Sequence, residues 1–204
     1  MSSSVESTVS ADEALLRLKG GNERFLSGTA RFHTLQKEIL ADLAKGQNPY
    51  ATILSCSDSR VPPELIFDAG LGELFVIRVA GNVLSPEVAG SLQYAGRHLR
   101  TPLFVVLGHT NCGAVAAAID TMLHKTRHHS RIQLLVDCIL PGLRDLDTRI
   151  SPETMRVQGI EANVRWSMRQ ILESPEGRER QAEGRMKLVG AIYEIETGYV
   201  RFLE

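Results

Sequence analysis

Apolar positions along the chain follow two different periods. From Ala11 to Ser27, Leu15, Leu18, Phe25 and Leu26 recur among charged residues at near-helical spacing, with Ser10 placed to cap the start and Gly28 to stop the end. The pattern predicts one or two amphipathic helices. A second stripe, Leu35, Ile39, Leu40 and Leu43, predicts a helix over Leu35 to Ala44 that the run KGQNP closes. The period then changes. Tyr50 to Ser55, Leu74 to Ala80 and Leu103 to Leu107 are short, nearly unbroken apolar runs, of the kind that suits strands buried on both faces of a parallel sheet. Arg78 interrupts the second of these and needs a partner there.

Helical segments alternate with these runs. They are Leu65 to Asp68 behind Pro62, Pro63 and Glu64, Ser85 to Leu99 with Pro86 in its first turn, and Ala114 to Leu123. Ile132 to Leu146 and Pro152 to Leu172 follow, the latter carrying the single tryptophan, Trp166. Ser174 to Arg185 reads as a polar connection and Met186 to Glu194 as a fourth strand. Thr197 and Gly198 then turn the chain into Tyr199 to Leu203, an antiparallel edge hairpin. The order implies an α/β fold: a mainly parallel four-stranded sheet with flanking helices and right-handed crossovers, an antiparallel C-terminal edge strand and an N-terminal helical arm.

A length of 204 residues suits one domain, expected over 11–204 behind a short disordered lead-in at 1–10. Lys and Arg number 23 against 24 Asp and Glu, so no bulk field gathers nucleic acid or an anionic membrane. No apolar run approaches the roughly 18 residues of a membrane span. The start, MSSSVESTVSADE, lacks the basic and apolar regions of a secretory signal. Three cysteines in a chain of this size suit a metal better than a disulfide framework, and a reducing cytoplasm is the expected location.

The chemistry concentrates in two stretches. In ILSCSDSRVPPE a strand ends in Cys56, Asp58 and Arg60 at every second position, which in an extended chain puts all three on one side. In GHTNCGAV a strand runs into His109 and Cys112 just before an alanine-rich helix, whose positive end favours a thiolate. Two cysteines and one histidine make a zinc-ligand set with a fourth position open. A Cys–His nucleophile pair would leave Cys112, Asp58 and Arg60 without roles, and a redox pair lacks its CxxC. A closed structural zinc site with Asp58 as fourth ligand is opposed by Arg60, a bidentate partner for that carboxylate. Cys138, on an apolar helix stripe, reads as core. The basic run HKTRHHS has no acidic or cysteine partner at ligand spacing and reads as a solvated loop.

The motifs CSDSRVPPE, FVIRVAGN, GHTNCGAV and VGAIYEIETGYV resemble those of the β-class carbonic anhydrases, over roughly Ala11 to the end. The resemblance implies that Cys56, His109 and Cys112 bind Zn2+, and that Asp58, held by Arg60, accepts a hydrogen bond from a zinc-bound hydroxide. The implied reaction is reversible hydration of carbon dioxide to bicarbonate and a proton by zinc-hydroxide attack. It also implies that Gln47, Phe75, Ala80 and Tyr94 line the carbon dioxide pocket. In the family part of that pocket comes from a neighbouring subunit, so the resemblance implies a homodimer as the minimal unit, with tetramers common. Ala114 stands where the family often has a second glycine, and Val79 where it has asparagine. Neither removes a ligand. One subgroup carries tryptophan and glycine at the positions of Ile53 and Ser55, building a regulatory bicarbonate pocket; with isoleucine and serine, that regulation is not expected here. Two rival readings remain: a hydrolase of carbonyl sulfide or carbon disulfide at the same site, and a non-catalytic zinc protein closed by Asp58.

Overall fold

The computed structural model describes residues 9–31 and 37–203, with the side chains of 37–39 undescribed. Residues 1–8 of the expected lead-in and Leu35 of the second stripe lie outside the described residues. Helix α1, Ala11–Leu26, is a single helix capped as its sequence requires: Ser10 accepts the Glu13 N–H at 3.2 Å, and Asp12 and Glu13 face the positive end. It crosses its neighbour at backbone contact, since a Cβ on Gly21 would lie 1.8 Å from the Phe67 carbonyl oxygen. The next residue fastens the crossing. Buried Asn22 donates to Ile66 O at 3.3 Å and Gly198 O at 2.9 Å and accepts from Val200 N–H at 2.9 Å. Helix α2, Lys37–Leu43, follows.

Strands β1 (Ala51–Ser55), β2 (Leu74–Arg78), β3 (Leu103–His109), β4 (Lys187–Tyr193) and β5 (Val200–Leu203) form one sheet in the order β2-β1-β3-β4-β5. The first four are mutually parallel and β5 is antiparallel to β4, as the sequence implies. Central strands β1 and β3 are buried along their whole length. β2 corrects the expectation of burial on both faces. It is an edge strand, half-buried at Leu74–Ile77 and exposed at Arg78. An apolar run reports a strand that packs, but position in the sheet follows from chain crossovers that the run does not encode. Arg78 finds its partners in two carbonyls, Cys56 O at 3.1 Å and Asp58 O at 2.6 Å.

Helices cover both faces: α3 (Pro63–Ile66), α4 (Pro86–Tyr94, continued as a π turn over Ala95–Leu99), α5 (Gly113–His124), α6 (Ile132–Ile139), α7 (Pro152–Glu173) and α8 (Pro175–Ala182). On one face Leu54, Phe104, Val106 and Ile192 pack with Val115, Ile119, Ile160 and Val164; on the other Ile53, Leu103, Val105 and Leu107 pack with Leu18 and Phe67. The alternation is the two-residue strand period. Helix α8 corrects the reading of Ser174 to Arg185 as a connection. It has no apolar stripe, yet Ser174 accepts the Gly177 N–H at 3.0 Å ahead of Pro175 and Glu176. The same Ser-Pro-Glu triplet caps α4 and α7, so capping rather than periodicity was the available signal.

Candidate active site

Parallel pairing of β1 with β3, Ser55 opposite Leu107, brings two carboxyl ends to the same edge of the sheet. Open α/β sheets place their sites there. Cys56 follows β1 directly, His109 closes β3, and Cys112 is the N-cap of α5. The ligating atoms of these three buried residues all lie within 4.8 Å of one another. Thr110 O lies 2.8 Å from His109 Nδ1; a carbonyl can only accept, so that nitrogen carries the proton. His109 Nε2 is therefore an acceptor, and it is buried without a hydrogen-bond partner. An orphaned polar atom of this kind costs about 1–3 kcal/mol unless something satisfies it. Thr110 is itself anchored, donating to Tyr193 O at 3.0 Å and accepting from Ile195 N–H at 3.0 Å.

The two sulfurs share one proton. A hydrogen bond from Cys112, helped by the Gly81 N–H, pulls Cys56 down against the effect of burial. Cys112 is pushed up by the same shared proton and by burial, while the N–H groups of Val115 and Ala114 at the start of α5 pull the other way. A divalent cation taking both sulfurs replaces that proton. Two thiolates and an imidazole, with an unpartnered nitrogen among them, fit Zn2+ as a donor set.

Asp58 stands beside this group and is turned into Arg60. Its Oδ1 accepts from Arg60 Nε at 2.9 Å and from the Arg60 N–H at 3.0 Å, and its Oδ2 accepts from Arg60 Nη2 at 2.8 Å. These bonds hold the carboxyl well below the usual carboxylate range. Asp58 Oδ2 is nevertheless only 4.0 Å from His109 Nε2. Arg78 fixes the loop from beneath through the carbonyls of Cys56 and Asp58.

The other expected residues lie further out. Ala80 begins a 3-10 turn with Gly81, whose N–H reaches Cys56 Sγ at 3.3 Å. Phe75 on β2 and Tyr94 at the end of α4 come together, ring centroids 6.1 Å apart, and Tyr94 stacks on His98 at 5.0 Å. Tyr94 remains 47% exposed, and Gln47 is exposed between α2 and β1. Sequence reasoning missed Gly81 and Thr110, which act through backbone groups that any residue type would carry. It also missed Asn163, whose signal was an amide next to Val164 on the apolar side of α7. Cys138 is half-buried and outside the ligand group, and among the described residues no second group of three metal-ligating side chains occurs.

A parallel sheet that gathers two cysteines, a histidine and an arginine-held aspartate at its carboxyl edge defines the class: an α/β protein with a candidate metalloenzyme centre. Known proteins agree. A family model described as carbonic anhydrase matches residues 51–200. Carbonic anhydrase 2 of Mycobacterium tuberculosis H37Rv is 38% identical over 193 residues, covering 89% of this chain and 87% of its own. The solved structure of the β-carbonic anhydrase CcaA superposes with a TM-score of 0.74 at 27% identity, over 93% of this chain and 87% of that one. A tetrameric β-carbonic anhydrase of the ascomycete Sordaria macrospora shares the fold, with a TM-score of 0.73 at 23% identity over 90% and 93% of the two chains. The chain belongs to the β-class carbonic anhydrases, enzymes whose general reaction is the hydration of carbon dioxide.

Proposed function

We propose that the chain is a zinc enzyme interconverting carbon dioxide and bicarbonate, with Cys56, His109 and Cys112 holding the metal and Asp58 and Arg60 serving the reaction. The observation that carries this reading is the unpartnered His109 Nε2 among two sulfurs, beside a carboxylate that Arg60 holds. Zinc bound there would act as a Lewis acid that makes a coordinated water nucleophilic near neutral to alkaline pH. The protein's own contribution is placement. Thr110 O fixes the imidazole tautomer, Gly81 N–H fixes Cys56, and Arg60 keeps Asp58 ionised as an acceptor beside the site. Asp58 can orient a proton of the attacking water and, being spent on Arg60, does not add a fourth protein ligand.

The proposal extends to the carbon dioxide pocket, formed by Gln47, Phe75, Ala80 and Tyr94, and to a homodimer or tetramer as the working form. Its support is the aromatic pair at the β2 edge, with Tyr94 half-exposed, together with the tetrameric relative. The proposal includes a cytoplasmic location, on the ground that three cysteines in a chain of this size suit a metal better than a disulfide framework. Stopped-flow hydration of carbon dioxide by zinc-loaded protein, run beside a carbonyl sulfide hydrolysis assay, tests the function. Fast hydration with slow carbonyl sulfide turnover is expected. Bound zinc without hydration would mean a closed site, and preferential carbonyl sulfide hydrolysis would mean the related hydrolase.

A further inference from the structure

The turn that carries Ala80 is anchored by one face of α7. Gly81 has φ +70° and Asn82 φ +44°, two consecutive residues in the left-handed region. Glycine adopts that region freely and asparagine more readily than other residues, and both carbonyls of the turn are anchored from outside it. Asn163 Nδ2 donates to Gly81 O at 2.8 Å, and Ser167, one turn further on, donates to Asn82 O at 3.0 Å. Both side chains are 1% exposed, on a helix that otherwise buries apolar residues here. A buried amide opposite a carbonyl must present its N–H2, so the orientation of Asn163 is settled by its partner.

The peptide groups on either side of Gly81 have different tasks. Its carbonyl is taken by Asn163; its N–H points to Cys56 Sγ at 3.3 Å. The next N–H, that of Asn82, goes to Val79 O at 2.9 Å and closes the turn instead. Of the two anchors on α7, only Asn163 therefore grips the residue whose amide meets the sulfur. We propose that Asn163 is a positioning residue for the metal centre: by holding Gly81 O it fixes the turn on the carbonyl side of Gly81, so that the Gly81 N–H, in the preceding peptide group, stays on Cys56 and limits how strongly that thiolate donates to a bound cation. An N–H bonded to a thiolate stabilises the sulfur lone pair, weakens donation and leaves the cation more acidic toward its remaining ligand. The inference rests on the assignment of Cys56, His109 and Cys112 as metal ligands.

Cobalt(II) reports sulfur donation directly, through the energy of its thiolate-to-metal absorption. The parent protein loaded with cobalt(II) should show this absorption. In Asn163→Leu, close in volume but without a donor, the band should move to lower energy, as expected for a more strongly donating thiolate. Asn163→Ser, whose hydroxyl is too short to replace the amide, should shift the band the same way and serves if the leucine variant misfolds. Ser167→Ala is the structural control: it removes a comparable buried hydrogen bond from the neighbouring peptide and should leave the band in place. A band unmoved by either Asn163 variant, or moved equally by Ser167→Ala, overturns the positioning role while leaving the metal site standing. Absence of the band from the cobalt-loaded parent protein overturns the ligand assignment and this inference with it.

Discussion

Replacing Gly81 by alanine should strain the centre from two independent sources. At φ +70° a side chain meets its own backbone, for about 1–2 kcal/mol. The new Cβ would also lie 2.8 Å from Ile139 Cδ1 and 3.0 Å from the Cβ of Ala114. Overpacking of this kind costs about 1–3 kcal/mol, so the total is about 2–5 kcal/mol against a whole-domain stability of about 5–15 kcal/mol. The Ala114 contact makes the prediction specific. Ala114 is the departure from the family's frequent second glycine, so Ala114→Gly should relieve part of the clash, with a coupling of about 0.5–2 kcal/mol. The strain from φ would remain. Urea unfolding of parent, both single variants and the double variant, with metal content measured in each, yields the coupling energy. Strictly additive changes would refute the claim that these two positions share one space, and a Gly81→Ala protein of parental stability would refute the close packing altogether.

Alanine at Cys56, His109 or Cys112 should abolish zinc retention and hydration together, which metal analysis after dialysis checks; one zinc per chain at parental affinity in any variant would be a misassignment. Asp68, buried and bonded to Arg24 at 2.5 Å and to the Arg31 N–H at 2.8 Å, is held below the usual carboxylate range by these bonds despite its burial. Its folded-state value is depressed, so its stabilisation is complete above the unfolded value near 3.9 and is lost as pH falls through the folded value. Asp68→Asn should cost about 2 kcal/mol at neutral pH, since both arginines reach solvent, and should flatten the acid limb of a stability–pH profile; an unchanged limb contradicts this. Because Ile53 is wholly buried in the core and offers no donor, bicarbonate should inhibit as a simple product, with a hyperbolic dependence of initial rate; a steep sigmoid would contradict it.

What the sequence revealed, and what it hid, divides along a physical line. β1 and β3 were legible because both are central, buried and nearly unbroken in apolar residues, and α1 because Ser10 states where it begins. That Cys56, His109 and Cys112 come together beside an Asp58–Arg60 pair was legible because these are side chains at fixed spacing. β2 read as buried on both faces because apolar content does not report strand order, and α8 escaped because its helix is set by a cap on a polar segment. Gly81 and Thr110 were hidden because their contribution is a backbone N–H and a backbone carbonyl. Gln47, Phe75 and Tyr94 came only from resemblance; within one chain Phe75 and Tyr94 meet each other, while Gln47 stands in solvent.

A three-ligand metal site that Arg60 keeps open would be visible in a crystal structure of the zinc-loaded protein at neutral pH. Zinc is expected on Cys56, His109 Nε2 and Cys112, with a solvent molecule as the fourth ligand and Asp58 still paired with Arg60. Asp58 bound to zinc in place of solvent, or zinc held anywhere other than these three residues, would contradict it.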